Sequence, residues 1–595
     1  MALADIVTED EALGLLRRWA DDCCTVCCEE GQAVRLAAAV ARERTEAGLS
    51  VVVAAPNGNA CRAVRRQLAG AAESIEVVTI GELSLRVLAR AAERAGVRPP
   101  TVLDAVQRRL LMEDMKVLGG KPRRIEELVR FLCRGVTEFS YEDEEWLISD
   151  EERSVLAALG ERLRERHGLL PSFLAAAACA ALEDGELAAE MEIEELVAVG
   201  LSAFDDASQI MAGRLADRLV AFGSLEDAGV PEISFPHPEG LALWASHTRS
   251  FSVAPSPSRL TRIVSCADDL QEKATVAHLL SREEYADVLL TVTAPNRRWV
   301  AAMSAALEEA GLEPEVYTGP ALAKADPRRA DKDDAAWAYA LLALAADPCD
   351  VLARRTWLGV GDWLGGSDLW EAVRQTAAQQ GQSVDAVLDD LAAGDVPQNG
   401  DAARSRLLSR AAERLAEGEA ACGRLSGLTG DALVEALGPG AASVREVLAP
   451  APGDDAATLF GRLRAAMLAP AAPGDARVVV ALADQAAYLV ADGVVATGIV
   501  DGLASPAEAA DPSTPLDVHD KLVTEAAGRL AMAERLGDKF AVLTCFTSMS
   551  LMDASEAGVD ITRIYVDRGR HRARCAPSVL IKDKVENADH RTDAA

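Results

Sequence analysis

Aromatic side chains are scarce in this sequence: they make up 4% of its 595 residues, whereas hydrophobic residues as a whole make up 50%. The apolar content is therefore mostly Ala, Leu and Val, a mixture that favours helix, and the expected class is α/β with much helix. Long apolar runs are also missing. No stretch reaches the roughly 18 uninterrupted residues of a membrane span, and Met1 to Ala20 carries Asp and Glu where a signal peptide carries Lys and Arg. The expectation is a cytoplasmic protein with no membrane partner. Positive charge is in short supply too: 61 Lys and Arg stand against 94 Asp and Glu, for a net charge of −33. Such a field repels polyanions on average, so a nucleic-acid contact has to be local and has to weaken with salt. The same acidity also serves solubility alone.

Several chemical signatures are absent. The 7 histidines show no HExxH or HxH spacing, and the serines show no GxSxG elbow, which sets aside metal-hydrolase and serine-hydrolase readings. No GxxxxGK[ST] occurs. The 12 cysteines are spread without a small-domain framework, so free thiols are expected rather than disulfides. Cys23, Cys24, Cys27 and Cys28 form a CCxxCC cluster, a spacing that suits zinc or an iron-sulfur cluster when four thiolates converge. Thr25 to Cys28 reads as a buried strand, however, whose alternate side chains point to opposite faces, so no metal is expected there. The acidic clusters Glu142 to Glu145 and Asp150 to Glu152 read as solvated faces.

What is present is a repeated grammar. A chain of this length is expected to divide into several domains. Leu49 to Ala55 is a short β-branched run closed by Pro56-Asn57-Gly58 and followed by a helical pattern from Ala60 to Leu68. The same order recurs at Ala286 to Thr293, closed by Pro295-Asn296, with a helix running through Leu307 to a stop at Gly311. Further buried-strand candidates are Thr25 to Cys28, Leu196 to Val199, Arg477 to Leu482, Gly493 to Thr497 and Phe540 to Cys545. They sort into an early and a late set, separated by long helical tracts at Ala105 to Leu182 and Asp333 to Leu468. Val230 to Pro257, rich in proline, and Ala449 to Asp455 read as linkers, and Lys582 to Ala595 as a frayed end. No tandem period suggests a solenoid.

In this order the pieces resemble the superfamily-one helicases of the UvrD type, and most closely the AddB-like branch. The resemblance is carried by VVVAAPNGNACRAVRRQL (Val51 to Leu68), VVTIGELSLRVL (Val77 to Leu88) and VAVGLSAFDDASQIMAGRLADRL (Val197 to Leu219). In the second half it is carried by ADDLQEKATVAHLL (Ala267 to Leu280), by the run from Val288 to Leu322 and by DGVVATGIVDGLASP (Asp492 to Pro506). It implies two RecA-like parallel-sheet domains with large helical insertions. The first domain would take residues 1–90 and 190–250 around an insertion at 91–189, the second 259–330 and 470–570 around an insertion at 331–469, with 571–595 as a tail. GRHRARCAPSVLI (Gly569 to Ile581) looks like the family's step ahead of its nuclease, after which the sequence stops, so no nuclease domain and no iron-sulfur cysteines are carried over.

The resemblance also places an ATP site, and the residues there are wrong for one. A working P-loop needs glycines to wrap phosphate, a Lys to neutralise it and a Ser or Thr on Mg²⁺. In the matching stretch only Gly31 survives. Val26 stands at the first glycine, Gln32 at the Lys and Ala33 at the hydroxyl, while Glu29 and Glu30 add negative charge. With Asp206 on the family's loop Asp, Ser202 and Ala203 fall where the metal-binding Asp and the catalytic Glu belong. Glu525 to Lys539 offers Arg529 and Arg535, but the alignment puts Gly537 at the arginine finger. Candidate DNA contacts, at loop ends above parallel strands, are Asn57, Arg62, Arg65, Thr79, Asn296, Arg297 and Arg298. A basic run of Arg568, Arg570, Arg572 and Arg574 is a further phosphate track or a solubilising surface. The expected function is a non-catalytic helicase-like subunit in double-strand-break end processing, without bound ATP, Mg²⁺ or an iron-sulfur cluster. Its expected partners are an AddA-like helicase-nuclease and DNA ends or single-stranded DNA. The alternatives are an active ATP-dependent helicase, which the missing P-loop disfavours, and a relic or interaction scaffold with no DNA role.

Overall fold

The computed structural model describes residues 6–19, 23–68, 75–117, 122–137, 149–223, 248–254, 260–318, 322, 325, 333–361, 363–397, 401–468, 476–504 and 516–581. Its first sheet draws on β1 (Ile6–Val7), β2 (Cys23–Cys27), β3 (Val51–Ala55), β4 (Glu76–Thr79), β7 (Ile193–Val199), β8 (Ala216–Gly223) and β9 (Thr248–Val253); the short β5 (Thr101–Val102) and β6 (Gly168–Leu169) pair apart from it. The strand order is β1-β9-β2-β8-β7-β3-β4, and every pairing is parallel. Strands buried on both faces read as continuous apolar runs, which is why CCTVC and VVVAA are buried at every position. Alternation sends Val53, Val197 and Val220 into the core on one face and Val52, Leu196 and Leu219 into the core on the other.

The second sheet is built from β10 (Leu260–Cys266), β11 (Leu290–Ala294), β12 (Glu315–Tyr317), β13 (Val478–Leu482), β14 (Ala491–Ala496) and β15 (Gly537–Phe546), in the order β10-β15-β14-β11-β13-β12, again all parallel. Four central strands of each sheet share one winding. In each, the last two strands of the central set lie between its first and second: β8 and β7 between β2 and β3, β15 and β14 between β10 and β11. A helical tract leaves each sheet at the same point of that winding, after β4 and after β12. Local features match as well. Asn57 and Asn296 cap the helices after β3 and β11 with nearly the same extended backbone, and a left-handed glycine, Gly200 or Gly498, follows β7 or β14. A third, antiparallel sheet is made of β16 (Ser548–Ser550), β17 (Arg563–Asp567) and β18 (Arg570–Arg574), in the order β16-β18-β17.

The two helical tracts meet over a buried charge cluster. Asp114, on the helix Ala105–Lys116, accepts hydrogen bonds from Arg166 of its own tract and from Arg355 of the other, the latter through Nε at 3.0 Å and Nη2 at 2.5 Å. Trp370 lies under both guanidinium groups, at 5.1 Å from Arg166 and 5.9 Å from Arg355. Tyr339 donates to Asp104, which also caps the helix Ala105–Lys116, so a second polar contact joins the tracts.

Three expectations about connections are corrected. The proline-rich segment taken as a linker ends in β9, which pairs with β1 and β2, while residues 230–247 and 255–257 lie outside the described residues. Ala449 to Asp455 is a folded corner rather than a linker: buried Asp454 accepts from the Ala451 amide at 2.8 Å and pairs with Arg462, and its own carbonyl accepts from Gly430 at 2.8 Å. The tail predicted from residue 571 holds most of β18 and ends in buried Cys575 and Ile581; residues 582–595 lie outside the described residues.

Buried Glu272, on the helix Asp269–Leu280, accepts from the Gly498 amide at 3.0 Å and from the Thr544 hydroxyl at 2.7 Å through one oxygen, and its other oxygen has no hydrogen-bond partner. Burial raises its pKa, against the opposing effect of those hydrogen bonds. The folded chain therefore keeps this proton to a higher pH than the unfolded chain does. Stability is lost as pH rises from the ordinary carboxylate range through the raised value. Glu272→Gln is expected to leave unfolding at pH 4 nearly unchanged and to stabilise at pH 8 by about 1 kcal/mol, within the range an unmet buried polar group costs. Urea titrations at the two pH values check this; equal effects at both would contradict it.

Candidate functional site: the cleft between the two sheets

The stretch that the resemblance aligns with a phosphate loop falls at the C-terminal end of β2, a central strand, where α/β sheets of this kind usually bind ligands. Only Cys28 and Glu29 separate β2 from the helix Glu30–Glu46, so the chain turns directly into helix with no wide loop. Gly31, Gln32 and Ala33 fall in the first turn of that helix and are buried. Gln32 is fully engaged: its Oε1 accepts from the Glu29 amide at 3.1 Å, and its Nε2 donates to the Ala254 carbonyl, just after β9, at 2.9 Å.

Side chains from the second sheet's domain occupy the space above this turn. Arg535, at the end of the helix Leu516–Arg535, donates from Nε to Glu30 Oε1 at 3.0 Å, and both side chains are nearly buried. Two residues into the chain beyond it, Gly537 begins β15, so the arginine that reaches the first domain is Arg535 and not a residue at the aligned position 537. The side chain of Arg529 lies outside the described residues. Asp538 accepts from Arg35 Nη1 at 2.8 Å, while Arg35 also grips Glu9 through Nε at 3.0 Å and Nη2 at 3.1 Å. A Cβ on Gly31 would stand 2.2 Å from Asp538 Oδ1, so Asp538 lies directly over this glycine. Burial raises the Glu30 pKa, with Arg535 acting in the opposite sense.

A second contact lies across the cleft beside Ser202 and Ala203. β7 ends at Gly200, whose φ of 69° is left-handed, and the turn Leu201–Ala203 follows. Tyr488, from the connection between β13 and β14, reaches Gly200 and joins the first domain's core. A Cβ on Gly200 would overlap the Tyr488 hydroxyl at 1.9 Å. Tyr488 itself holds φ at 63°, a conformation that costs a non-glycine residue about 1 kcal/mol or more. Ala203 is exposed, the side chain of Ser202 is not described, and Asp205 rather than Asp206 caps the next helix, accepting from the Ser208 amide at 2.8 Å.

The DNA-contact candidates part ways. Thr79 is buried and caps the helix Ile80–Ala95, accepting from the Glu82 amide at 3.1 Å while Glu82 accepts from the Thr79 amide at 2.7 Å, a reciprocal cap. Asn57 caps its helix through the Ala60 amide at 2.9 Å and donates across the cleft to the Ala487 carbonyl at 3.4 Å. The sequence reading missed its neighbour Asn59, which donates to the same carbonyl at 3.1 Å and to that of Gln485 at 3.3 Å. Arg62 lines a small cavity between the domains with Asn59, Thr291 and Tyr488, and Arg65 donates to the Val77 carbonyl at 2.6 Å. Asn296 caps its helix through the Trp299 amide at 2.9 Å, Arg298 pairs with Asp553 and Glu556, and Arg297 is exposed. The site therefore gathers Asn57, Asn59 and Arg62 at a junction between domains and leaves Arg297 facing solvent.

The cysteine cluster does not converge. Cys24 and Cys28 point into one core of the first sheet and Cys23 into the other, and among the described residues no group of three or more His, Cys, Asp or Glu side chains is arranged to hold a metal ion. Among the described residues no helix is long and apolar enough to cross a membrane. Compared with family models and with curated proteins, the chain matches none.

Proposed function

We propose that this chain is a helicase-like subunit that makes no use of ATP itself and works on DNA ends beside an AddA-like motor-nuclease. The observation that carries the reading is the Arg535–Glu30 pair. In the family that the sequence resembles, Mg-ATP sits between two RecA-like domains, and an arginine of the second domain stabilises the charge on the phosphates. Here an arginine of the second domain meets a carboxylate of the same chain at the head of the helix where phosphate would bind.

The surrounding residues do not fit a nucleoside triphosphate. Glu29 and Glu30 oppose an anion, Gln32 is spent on its own turn, Ala33 offers no hydroxyl to a metal, and Asp538 fills the space over Gly31. The shared winding of the two sheets, with a helical tract leaving each at the same point, supports the two-domain helicase body. A body whose cleft is held by its own side chains is suited to positioning DNA and a partner rather than to cycling.

The test is to follow DNA binding and phosphate release in one sample, with blunt and tailed duplexes over a range of salt. The reading expects salt-dependent binding of ends and phosphate release at background whether or not DNA is present. DNA-stimulated release would restore the active-helicase alternative. Absence of binding at low salt would favour a scaffold without a DNA role.

A further inference from the structure

Against a net charge of −33, the segment Arg563 to Arg574 (RIYVDRGRHRAR) carries five arginines and one aspartate. The hairpin of β17 and β18 sorts them. Its register sets Arg563 opposite Arg574, Tyr565 opposite Arg572 and Asp567 opposite Arg570, while Ile564 and Val566 lie opposite Ala573 and His571. Residues directly opposite in an antiparallel pair share a face, so Arg563, Arg570, Arg572, Arg574 and Tyr565 gather on one side with the single Asp567, and Ile564, Val566 and His571 on the other. Alternate residues along a strand are about 7 Å apart, which makes the arginines a regular row. Arg572 is held by Asp268 at 3.2 Å and by Ser548 at 3.1 Å, whereas Arg563, Arg570 and Arg574 are exposed.

The turn adds a second observation. Arg568 and Gly569 both have positive φ, 46° and 79°, the two-residue turn in which Asn-Gly is the usual pair. An arginine in the left-handed region costs stability relative to Asn or Gly, and here it puts a guanidinium at the apex of the basic face.

We propose that this face binds the phosphate backbone of single-stranded nucleic acid, with Arg563, Arg568, Arg570 and Arg574 contacting its phosphates and Tyr565 as a platform for a base. The proposal rests on the DNA-end reading above and names the contact surface that the cleft does not provide. A single strand is favoured over duplex because the aromatic ring lies within the arginine row, and rows of cations interleaved with stacking rings are how single strands are held without sequence preference.

The experiment compares the full chain with the variant R563Q/R568N/R570Q/R574Q, using fluorescence anisotropy of labelled oligo(dT) over a salt series. Each phosphate contact contributes about 0.7 to the slope of log affinity against log salt, so the variant should lose about 2 to 3 of that slope and at least about tenfold in affinity at low salt. R568N alone should keep or raise the thermal midpoint, because Asn suits the turn, and it should still weaken binding; this separates charge from folding. Equal affinity and slope in wild type and quadruple variant would overturn the hairpin assignment and leave the DNA-end reading standing. No binding by the wild-type chain would overturn that reading itself. Displacement of oligo(dT) by polyglutamate as effectively as by unlabelled oligo(dT) would assign the face to an acidic protein and overturn the nucleic-acid proposal.

Discussion

Replacing Asp114 with Ala is expected to destabilise the helical body by about 4 kcal/mol, within the range for breaking a buried ion pair from one side. Asp114 is 2% exposed, and the side chains of Arg166 and Arg355 that it serves are 2% and 1% exposed. Arg355 Nη1 and Arg162 Nε already lack hydrogen-bond partners, and burial presses the Arg166 pKa down to about 10 against the pull of Asp114. Without the carboxylate, two guanidinium groups stacked on Trp370 would face each other in the core. Because Asp114 and Arg355 belong to different tracts, the loss should separate the tracts as well as weaken them. Urea unfolding followed by tryptophan emission measures the effect, since Trp337, Trp357 and Trp370 all lie in the second tract. A cost below about 1 kcal/mol, the level of an exposed pair, would show that the cluster does not hold the tracts together.

The second large effect belongs to the cleft. Arg535→Ala should cost about 2 kcal/mol, between the values for exposed and buried pairs, because the partners are nearly but not fully buried. Most of that cost is the stranded charge on Glu30, whose second oxygen has no partner even with Arg535 present. Glu30→Gln in the Arg535→Ala background should therefore recover most of the loss, giving a non-additive cycle. Hydrogen exchange at the first turn of the helix Glu30–Glu46 should rise in the single variant and fall back in the double one. Additive effects of the two substitutions would mean that the pair does not couple the domains.

Much of the fold is legible in the sequence where chemistry is local. VVVAA-Pro-Asn and LTVTA-Pro-Asn announce β3 and β11 because an apolar run, a proline and a capping Asn each act within a few residues. Other strands are hidden by their surroundings. β8 follows the helix Asp206–Leu215 with no turn residue between, so ADRLVAFG continues a helical pattern by eye. β9 stands behind a run of prolines, and β18 alternates arginines where a strand usually alternates apolar residues. That Gly31, Gln32 and Ala33 do not form a P-loop is visible directly. The ion pairs over that turn are not, because Glu30 and Arg535 are 505 positions apart and Arg35 and Asp538 are 503 apart. Thr79 and Asn296 each close a helix end, a use that a polar residue just after a strand announces locally.

The account turns on whether the cleft between the sheets still receives a nucleotide, and the most direct measurement is titration calorimetry of the wild-type chain with ATP and Mg²⁺. The account predicts no saturable heat up to about 1 mM nucleotide, a range in which even a binding free energy of about −4 kcal/mol registers. Saturable, Mg²⁺-dependent binding in the micromolar range, lost on Glu30→Ala or Arg535→Ala, would contradict it and place a working nucleotide site at the head of the helix Glu30–Glu46.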